Sequence, residues 1–467
     1  MNDELAFCSI SQLTQKLRDG EVSSLQLVEL FAQRIDRFKN QSNAFISLDL
    51  ETAMERARGL EYSADQALCG IPYACKDLFD VQGQVTSGGS RVLENEVAET
   101  NATVIDRMNA AGGIYLGKNN LHEFAYGATG ENILHGTCQN PYDPSRLAGG
   151  SSSGSAAAVG YGLCTAALGT DTGGSVRAPA ALCGLVGLKP TYGRISTEGV
   201  IPYSWTLDHV GTITRTAVDA SILFSVLKDA PGPSKISRSA RLEGLTIGIP
   251  ETFFFEQADT EILDSVDQLM TFLTASGAKL RKVPMTSMEF TRTVSLTVQM
   301  PEALSYHNRY LETRGELYSQ DFRAGLALGQ CILAEQYVRA KRFIETYRRD
   351  TDAVFKEVDL LLTPATPAIA PKIGAVEVTT DGVSEPAGNA ITRYTSFFNM
   401  TGHPAITFPC GMHSTGLPIA AQLVGRHYED EALLDITSDI ESRMDFRIPP
   451  PLLPGVTTPS PSGRGQG

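Results

Sequence analysis

Apolar and polar positions along this chain switch repeatedly between a helical and an alternating period. "SISQLTQKLRDG" (9–20) and "VSSLQLVELFAQRIDRF" (22–38) carry apolar residues at helical spacing, and the first opens on capping-type serines and stops at Gly20. "NAFISLDL" (43–50) alternates like a strand, and "TAMERARGLEYSA" (52–64) returns to the helical period. "LCGIPYACKDLFDVQG" (68–83) is a strand candidate. "ATVIDRMNAAGGIYLGKNNL" (102–121) reads as helix, Gly-Gly stop, strand. Residues 125–155 are rich in Gly, Asn, Pro and Ser and read as loop; "SAAAVGYGLCTAAL" (155–168) is an Ala-rich helix running into a small-residue strand.

The second half repeats the alternation. "DAPGPSKISRSARL" (229–242) has linker composition, and "GLTIGIP" (244–250) restarts a strand. "DTEILDSVDQLMTFLTASGAKLRKVPM" (259–285) predicts an amphipathic helix, a stop at Gly277 and another strand. Residues 301–350 read as mostly helical, and "VDLLLTPATPAIAP" (358–371) as a buried strand ending in a Pro-rich turn. "PAITFPCG" (404–411) and "GLPIAAQLVG" (416–425) predict adjacent strands, and "EDEALLDITSDIESRM" (429–444) a last helix. This alternation predicts an α/β layered fold in one large domain over 1–448. Residues 449–467, rich in Pro, Gly and Ser, have the composition of a tail that cannot bury a core.

Composition narrows the function classes. The 467 residues are 42% hydrophobic and 20% charged, ordinary for a soluble globular protein. A net charge of −14 argues against a nucleic-acid partner, which needs clustered Lys and Arg. Eight scattered cysteines form no C-x-x-C and no zinc-type Cys/His spacing, so they read as small apolar residues in a reducing compartment. The first residues show no secretory signal pattern and no window reaches 18 consecutive apolar residues, so the expectation is a cytoplasmic protein without a membrane span.

The chemistry centres on "LGTDTGGSVRAP" (168–179), a polar Gly-rich run with no histidine nearby. A Walker loop is absent, and "GYGLCT" (160–165) fails the last position of a dinucleotide loop. Gly150-Ser151-Ser152-Ser153-Gly154 matches the G-x-S-x-G elbow of α/β-hydrolases, with Ser152 central. That elbow must follow a hydrophobic strand, whereas "CQNPYDPSRLAG" precedes it here, and its histidine would have to be His403, His413 or His427. A third reading pairs a serine with a lysine. A serine hydroxyl is a weak nucleophile without a base, and a lysine becomes one when burial lowers its pKa. Lys76 lies in the mostly apolar "IPYACKDLFDV" (71–81), sharing a face with Ala74 and opposite Cys75.

"GGSSSGSAAAVG" (149–160) and "LGTDTGGSVRAPAALCGLVGLKPTYGRIS" (168–196) together resemble the signature of the amidase signature family of serine hydrolases. The spacing agrees: 75 residues from Lys76 to Ser151, and 24 from Ser151 to Ser175. "GIPYACKD", "GKNNLHEFAYGATGEN" and "NPYDPSRLAGGSSSGS" extend the resemblance, and the segments at 358–371 and 398–425 carry it over most of the chain, with the signature core at about 65–215.

The resemblance implies a central mixed sheet covered by helices on both faces. It implies a Ser–cis-Ser–Lys triad with Ser175 as nucleophile, Ser151 as the bridging serine on a cis peptide, and Lys76 as the base. The backbone N–H groups of Thr172, Gly173, Gly174 and Ser175 would form the oxyanion hole, the glycines leaving room for convergence. Ser152 would hydrogen-bond within the site, Asp171 and Arg177 would brace the loop as an ion pair, Asp208 would be structural, and His122 would lie near the pocket without acting on substrate. No metal or cofactor is implied. The expected substrate is a small amide, with carbamates and esters open to the same chemistry, acted on by a monomer or homodimer. Specificity is expected from 120–150 and 300–350. One branch of the family is the glutaminase subunit of the tRNA-dependent amidotransferase, whose glutamine pocket uses an arginine in an "RRI-x-LG" segment. The matching stretch "FRAGLALG" (322–329) leaves Arg323 one position off, so a stand-alone amidase is favoured.

Overall fold

The computed structural model describes residues 3–229 and 242–444. The expected tail at 449–467 and nearly all of the expected linker lie outside the described residues.

Local sequence sets the first elements. Ser9 and Gln12 cap the helix Ile10–Arg18 reciprocally, side chain to backbone in both directions, and Ser23 and Gln26 do the same for Ser24–Ser42. The strands follow in chain order: β1 (Phe45–Leu48), β2 (Pro72–Lys76), β3 (Ile114–Asn119), β4 (Ala166–Asp171), β5 (Val186–Lys189), β6 (His209–Thr214) and β7 (Thr246–Pro250). Then come β8 (Lys279–Val283), β9 (Leu360–Pro364), β10 (Glu377–Thr380), β11 (Val383–Pro386), β12 (Ala405–Met412) and β13 (Pro418–Val424). Eleven of them form one sheet in the order β1-β3-β2-β4-β6-β5-β12-β13-β9-β7-β8, and β10 and β11 form a separate hairpin. The sheet is mixed: β2 runs parallel to both β3 and β4, whereas β4–β6, β5–β12 and β12–β13 are antiparallel.

Every residue of β2 is buried, as expected of a strand covered on both faces. The expected alternation is visible in its packing. Tyr73 and Cys75 join a core with the helices Ile10–Arg18, Thr103–Ala110, Ala217–Leu227 and Thr260–Ala275. Ala74 joins the opposite core, built from Ser24–Ser42, Leu50–Gly59 and Ser153–Gly160. Helices therefore cover both faces, and the chain is α/β as expected.

Some boundaries differ. The strand expected over 68–83 is only Pro72–Lys76, because Gly70 at φ +78° and the turn after Lys76 end the extended run. The helical region expected at 301–350 is three helices, Thr291–Arg314, Gln320–Gln330 and Ala334–Val354, the first starting earlier than expected and carrying Pro301 inside it. All eight cysteines are unpaired. Among the described residues no helix is long and apolar enough to cross a membrane.

Candidate active site

β2 and β4 lie side by side with Cys75 opposite Leu168, and their carboxyl ends carry the site residues. Crevices beyond such strand ends are where open α/β sheets place their ligands. Lys76 ends β2 and is wholly buried. Its Nζ lies 2.6 Å from Ser151 Oγ and 2.8 Å from Thr170 Oγ1 of β4. Burial pushes the Lys76 ammonium down to about 7, against the charges of Asp208 and Asp171, which favour the protonated form. At neutral pH both the free amine and the ammonium are thus within reach.

Ser151 sits in the loop before the helix Ser153–Gly160. Its neighbour Ser152 ties this loop to the end of β4. Ser152 Oγ donates to Thr170 O (3.2 Å) and accepts from Thr170 N–H (3.3 Å), while Ser152 N–H donates to Ser175 O (3.2 Å). This places Ser152 within the site as expected. It also leaves no role for it in an esterase elbow, since no histidine contacts it among the described residues. His403 instead bonds Asp352 and stacks on His427, and His413 pairs with Asp259 and Glu261.

One expectation about the serines is corrected. Every peptide bond among the described residues is trans, so Ser151 lacks the cis geometry that the resemblance implied. Trans is the low-energy form of a non-proline peptide, by roughly 3 kcal/mol, and no proline follows Gly150 or Ser151. The structure joins Lys76 to Ser151, but among the described residues no hydrogen bond joins Ser151 Oγ to Ser175 Oγ. Ser175 is 6% exposed and faces a cleft.

The turn from Asp171 to Arg177 is organised by one carboxylate. Asp171 accepts hydrogen bonds from the backbone N–H groups of Gly174 (2.8 Å), Val176 (3.1 Å) and Arg177 (3.2 Å). It also accepts from Arg177 Nε (3.0 Å) and Nη2 (2.9 Å) and from Asn399 Nδ2 (2.8 Å). Burial alone would raise its pKa, but Arg177 and these donors hold it well below the usual carboxylate range. The expected bracing ion pair is therefore present, and Gln422 and Asn399 occupy the other guanidinium donors.

The four amides expected to form the oxyanion hole differ in their partners. The Gly174 N–H donates to Asp171, whereas the N–H groups of Thr172, Gly173 and Ser175 have no hydrogen-bond partner among the described residues. Thr172 is fixed by its own side chain, whose Oγ1 donates to Asp208 Oδ1 at 2.5 Å. Asp208 also accepts from Tyr203 and Ser204 N–H (2.9 and 3.0 Å), and burial pushes its carboxyl up to about 6. His122 is half-buried, its backbone N–H donating to Ser151 O at 3.2 Å, and it lines a separate cavity rather than this cleft.

The cleft has a volume of about 240 Å³. Ser175, Thr172 and Gly173 form its floor, and Tyr126, Tyr203 and Arg292 stand among its walls. Of the expected specificity regions, 120–150 contributes Ala125–Ala128, but 300–350 contributes only Met300. The remaining wall comes from Arg292, Ser295, Leu296 and Gln299, one face of the first two turns of Thr291–Arg314, and from the segment after β11. Arg323 is exposed on Gln320–Gln330 and does not line the cleft.

Sequence reasoning missed Thr170 and Arg292. Thr170 was detectable as a hydroxyl next to Gly169 in an apolar strand. Arg292 had no local signal, because only the start of its helix turns it toward the cleft.

The family model described as Amidase matches residues 26–434. The chain belongs to the amidase signature family. This makes it a hydrolase of carbon–nitrogen bonds. The amidase signature chain is 35% identical over 485 aligned positions to the glutamyl-tRNA(Gln) amidotransferase A subunit of Coxiella burnetii (strain Dugway 5J108-111), covering 95% of this chain and 99% of that one. A solved structure described as an amidase superposes with a TM-score of 0.86 at 32% identity, covering 94% of this chain and all of the other. The glutamyl-tRNA(Gln) amidotransferase A subunit of Thermotoga maritima superposes with a TM-score of 0.80 at 29% identity, covering 96% of this chain and 98% of that one.

Proposed function

We propose that this amidase signature protein hydrolyses a small carboxamide through an acyl-enzyme. The observation that carries the reading is Lys76: a wholly buried amine 2.6 Å from Ser151 with its pKa brought to about 7. Ser175 Oγ attacks the carbonyl carbon, and its proton passes through Ser151 Oγ to the free amine of Lys76. The N–H groups of Thr172, Gly173 and Ser175 stabilise the oxyanion, each such donor being worth about 3–4 kcal/mol of barrier. Lys76 returns the proton through Ser151 to the leaving nitrogen, and the C–N bond breaks. Water then attacks the acyl-enzyme by the same relay and releases the acid. The Ser151–Ser175 contact closes when substrate fills the cleft, since catalytic hydrogen bonds tighten in the complex.

Carbamates and esters have the same reacting carbonyl and stand as further substrates. The eight unpaired cysteines support a reducing, cytoplasmic setting. The decisive test is labelling with a fluorophosphonate followed by peptide mapping, together with hydrolysis of an amide panel. An adduct on Ser175 that is absent from Ser175→Ala supports the mechanism; folded protein that takes no label at Ser175 refutes it.

A second reading, the glutaminase subunit of a tRNA-dependent amidotransferase, is favoured by the relatives that carry the amidotransferase name. The exposed position of Arg323 and the net charge of −14 favour a stand-alone amidase. Glutamine hydrolysis that rises on adding purified partner proteins of such a complex would reverse the preference.

A further inference from the structure

We propose that the cleft takes an amide whose far end carries a carboxylate, and that Arg292, with the hydroxyls of Tyr126 and Tyr203, binds that group. The proposal rests on the amide-hydrolase reading above and names its substrate class.

Arg292 shares a cavity with Ser175, and it is the only charged side chain among the residues lining that cavity. Among the described residues it has no ion pair and no hydrogen bond. Its nearest acid, Glu385, is 2.7 Å from Arg393 in an ion pair of its own. The residue as a whole is open to solvent at the cleft mouth, while partial burial of its guanidinium lowers its pKa against the nearby Tyr203, Glu385 and Tyr126.

Its position is unfavourable for the fold. Arg292 is the second residue of the helix Thr291–Arg314, whose first turn carries no acid. A cation there is repelled by the positive end of the helix. An anion at the same place would be attracted both by the helix end and by the guanidinium.

The neighbours complete an anion cradle. The Tyr126 and Tyr203 rings meet edge to face at 5.7 Å, and neither hydroxyl has a hydrogen-bond partner among the described residues. Both tyrosines line the same cavity. A guanidinium fork and two phenols match the two oxygens of one carboxylate. A phosphate dianion would leave its second charge without a cation. The lining also holds no Asp or Glu, so a free ammonium, such as that on the α-carbon of glutamine, would find no counter-charge. In a chain of net charge −14 the overall field repels anions, so recognition of one must be local.

The test compares ω-carboxyalkyl amides, from succinamate to adipamate, with uncharged alkyl amides of the same length. The wild type should prefer the best carboxylate by roughly ten- to hundredfold in kcat/KM, in line with charged hydrogen bonds. In Arg292→Gln that ratio should collapse, chiefly through KM, and Arg292→Lys should recover part of it. A ratio equal in wild type and Arg292→Gln overturns the proposal, as does a phosphonoalkyl amide outrunning every carboxylate. Fluorophosphonate labelling of Ser175 in the same samples separates the two levels. Labelled protein without a carboxylate preference refutes this inference alone; unlabelled wild type refutes the amide-hydrolase reading beneath it.

Discussion

Lys76 Nζ and Ser151 Oγ lie 2.6 Å apart with both residues wholly buried, at a place where an ammonium is poorly solvated. Burial brings the pKa to about 7, so the fraction of free amine rises as pH rises through that value. The amine is the form that takes the proton from serine. The pH profile of kcat/KM for amide hydrolysis should therefore have an acid limb centred near 7. Lys76→Ala should lose more activity at neutral than at alkaline pH, where hydroxide takes over deprotonation. Equal losses across the range would mean that Lys76 is not the base.

The same burial has a consequence for stability. The native pKa is about 7 against an ordinary 10.5, so between these values the unfolded chain binds a proton that the native chain does not. Stability from this group therefore rises with pH across that window and is lost as pH falls through it. Below about pH 7 the penalty is on the order of 4–5 kcal/mol. Lys76→Met should accordingly be more stable than wild type at pH 6, with a gain that shrinks toward pH 10. Urea denaturation at the two pH values measures it. A Met variant less stable at pH 6 would show that the ammonium is well accommodated after all.

Asp208 links the oxyanion loop to the lysine. It holds Thr172 at 2.5 Å, and its charge is the foremost one favouring protonated Lys76. Asp208→Asn removes that charge, so the free amine should persist to lower pH. The acid limb should then move below that of the wild type, while kcat falls because Thr172 loses a charged acceptor. A limb that stays put or moves upward would rule out this coupling.

The parts of the site that the sequence disclosed are those held by neighbours along the chain or by strand register. Lys76 was legible because its apolar surroundings imply burial, and burial implies a usable base. The Asp171–Arg177 brace was legible because six residues separate its partners around one tight turn. Its side effect was not legible: nothing in "DTGGS" says that the Gly174 amide serves Asp171 rather than a substrate. The cleft wall was misplaced for a different reason. Which turns of Thr291–Arg314 face Ser175 depends on where the helix starts and how it packs across the sheet, and residues 117 apart in sequence leave no periodic trace of meeting. The sheet order had the same obscurity, since β12 and β13 insert between β5 and β9 from far along the chain.

The two glycines of "DTGGS" make opposite predictions. Gly174 has φ +126°, and an added Cβ would lie 1.9 Å from Thr395 Oγ1, a group already donating to Gly173 O at 2.8 Å. Gly174→Ala must displace Thr395 and strain the turn, costing on the order of 2–4 kcal/mol and dismantling the amides around Ser175. Gly173 has no such constraint: a Cβ there would meet only Ser396 Cβ at 3.7 Å and Gln299 Nε2 at 3.8 Å, both ordinary contacts. Gly173→Ala should melt within a few degrees of wild type and still take the fluorophosphonate label, but it puts a methyl into the cleft and should raise KM. Thermal melts, labelling and kinetics on the pair check this together. If Gly173→Ala proved the more damaging to stability, the turn would be held by the first glycine, and the Asp171 cradle would not be what shapes it.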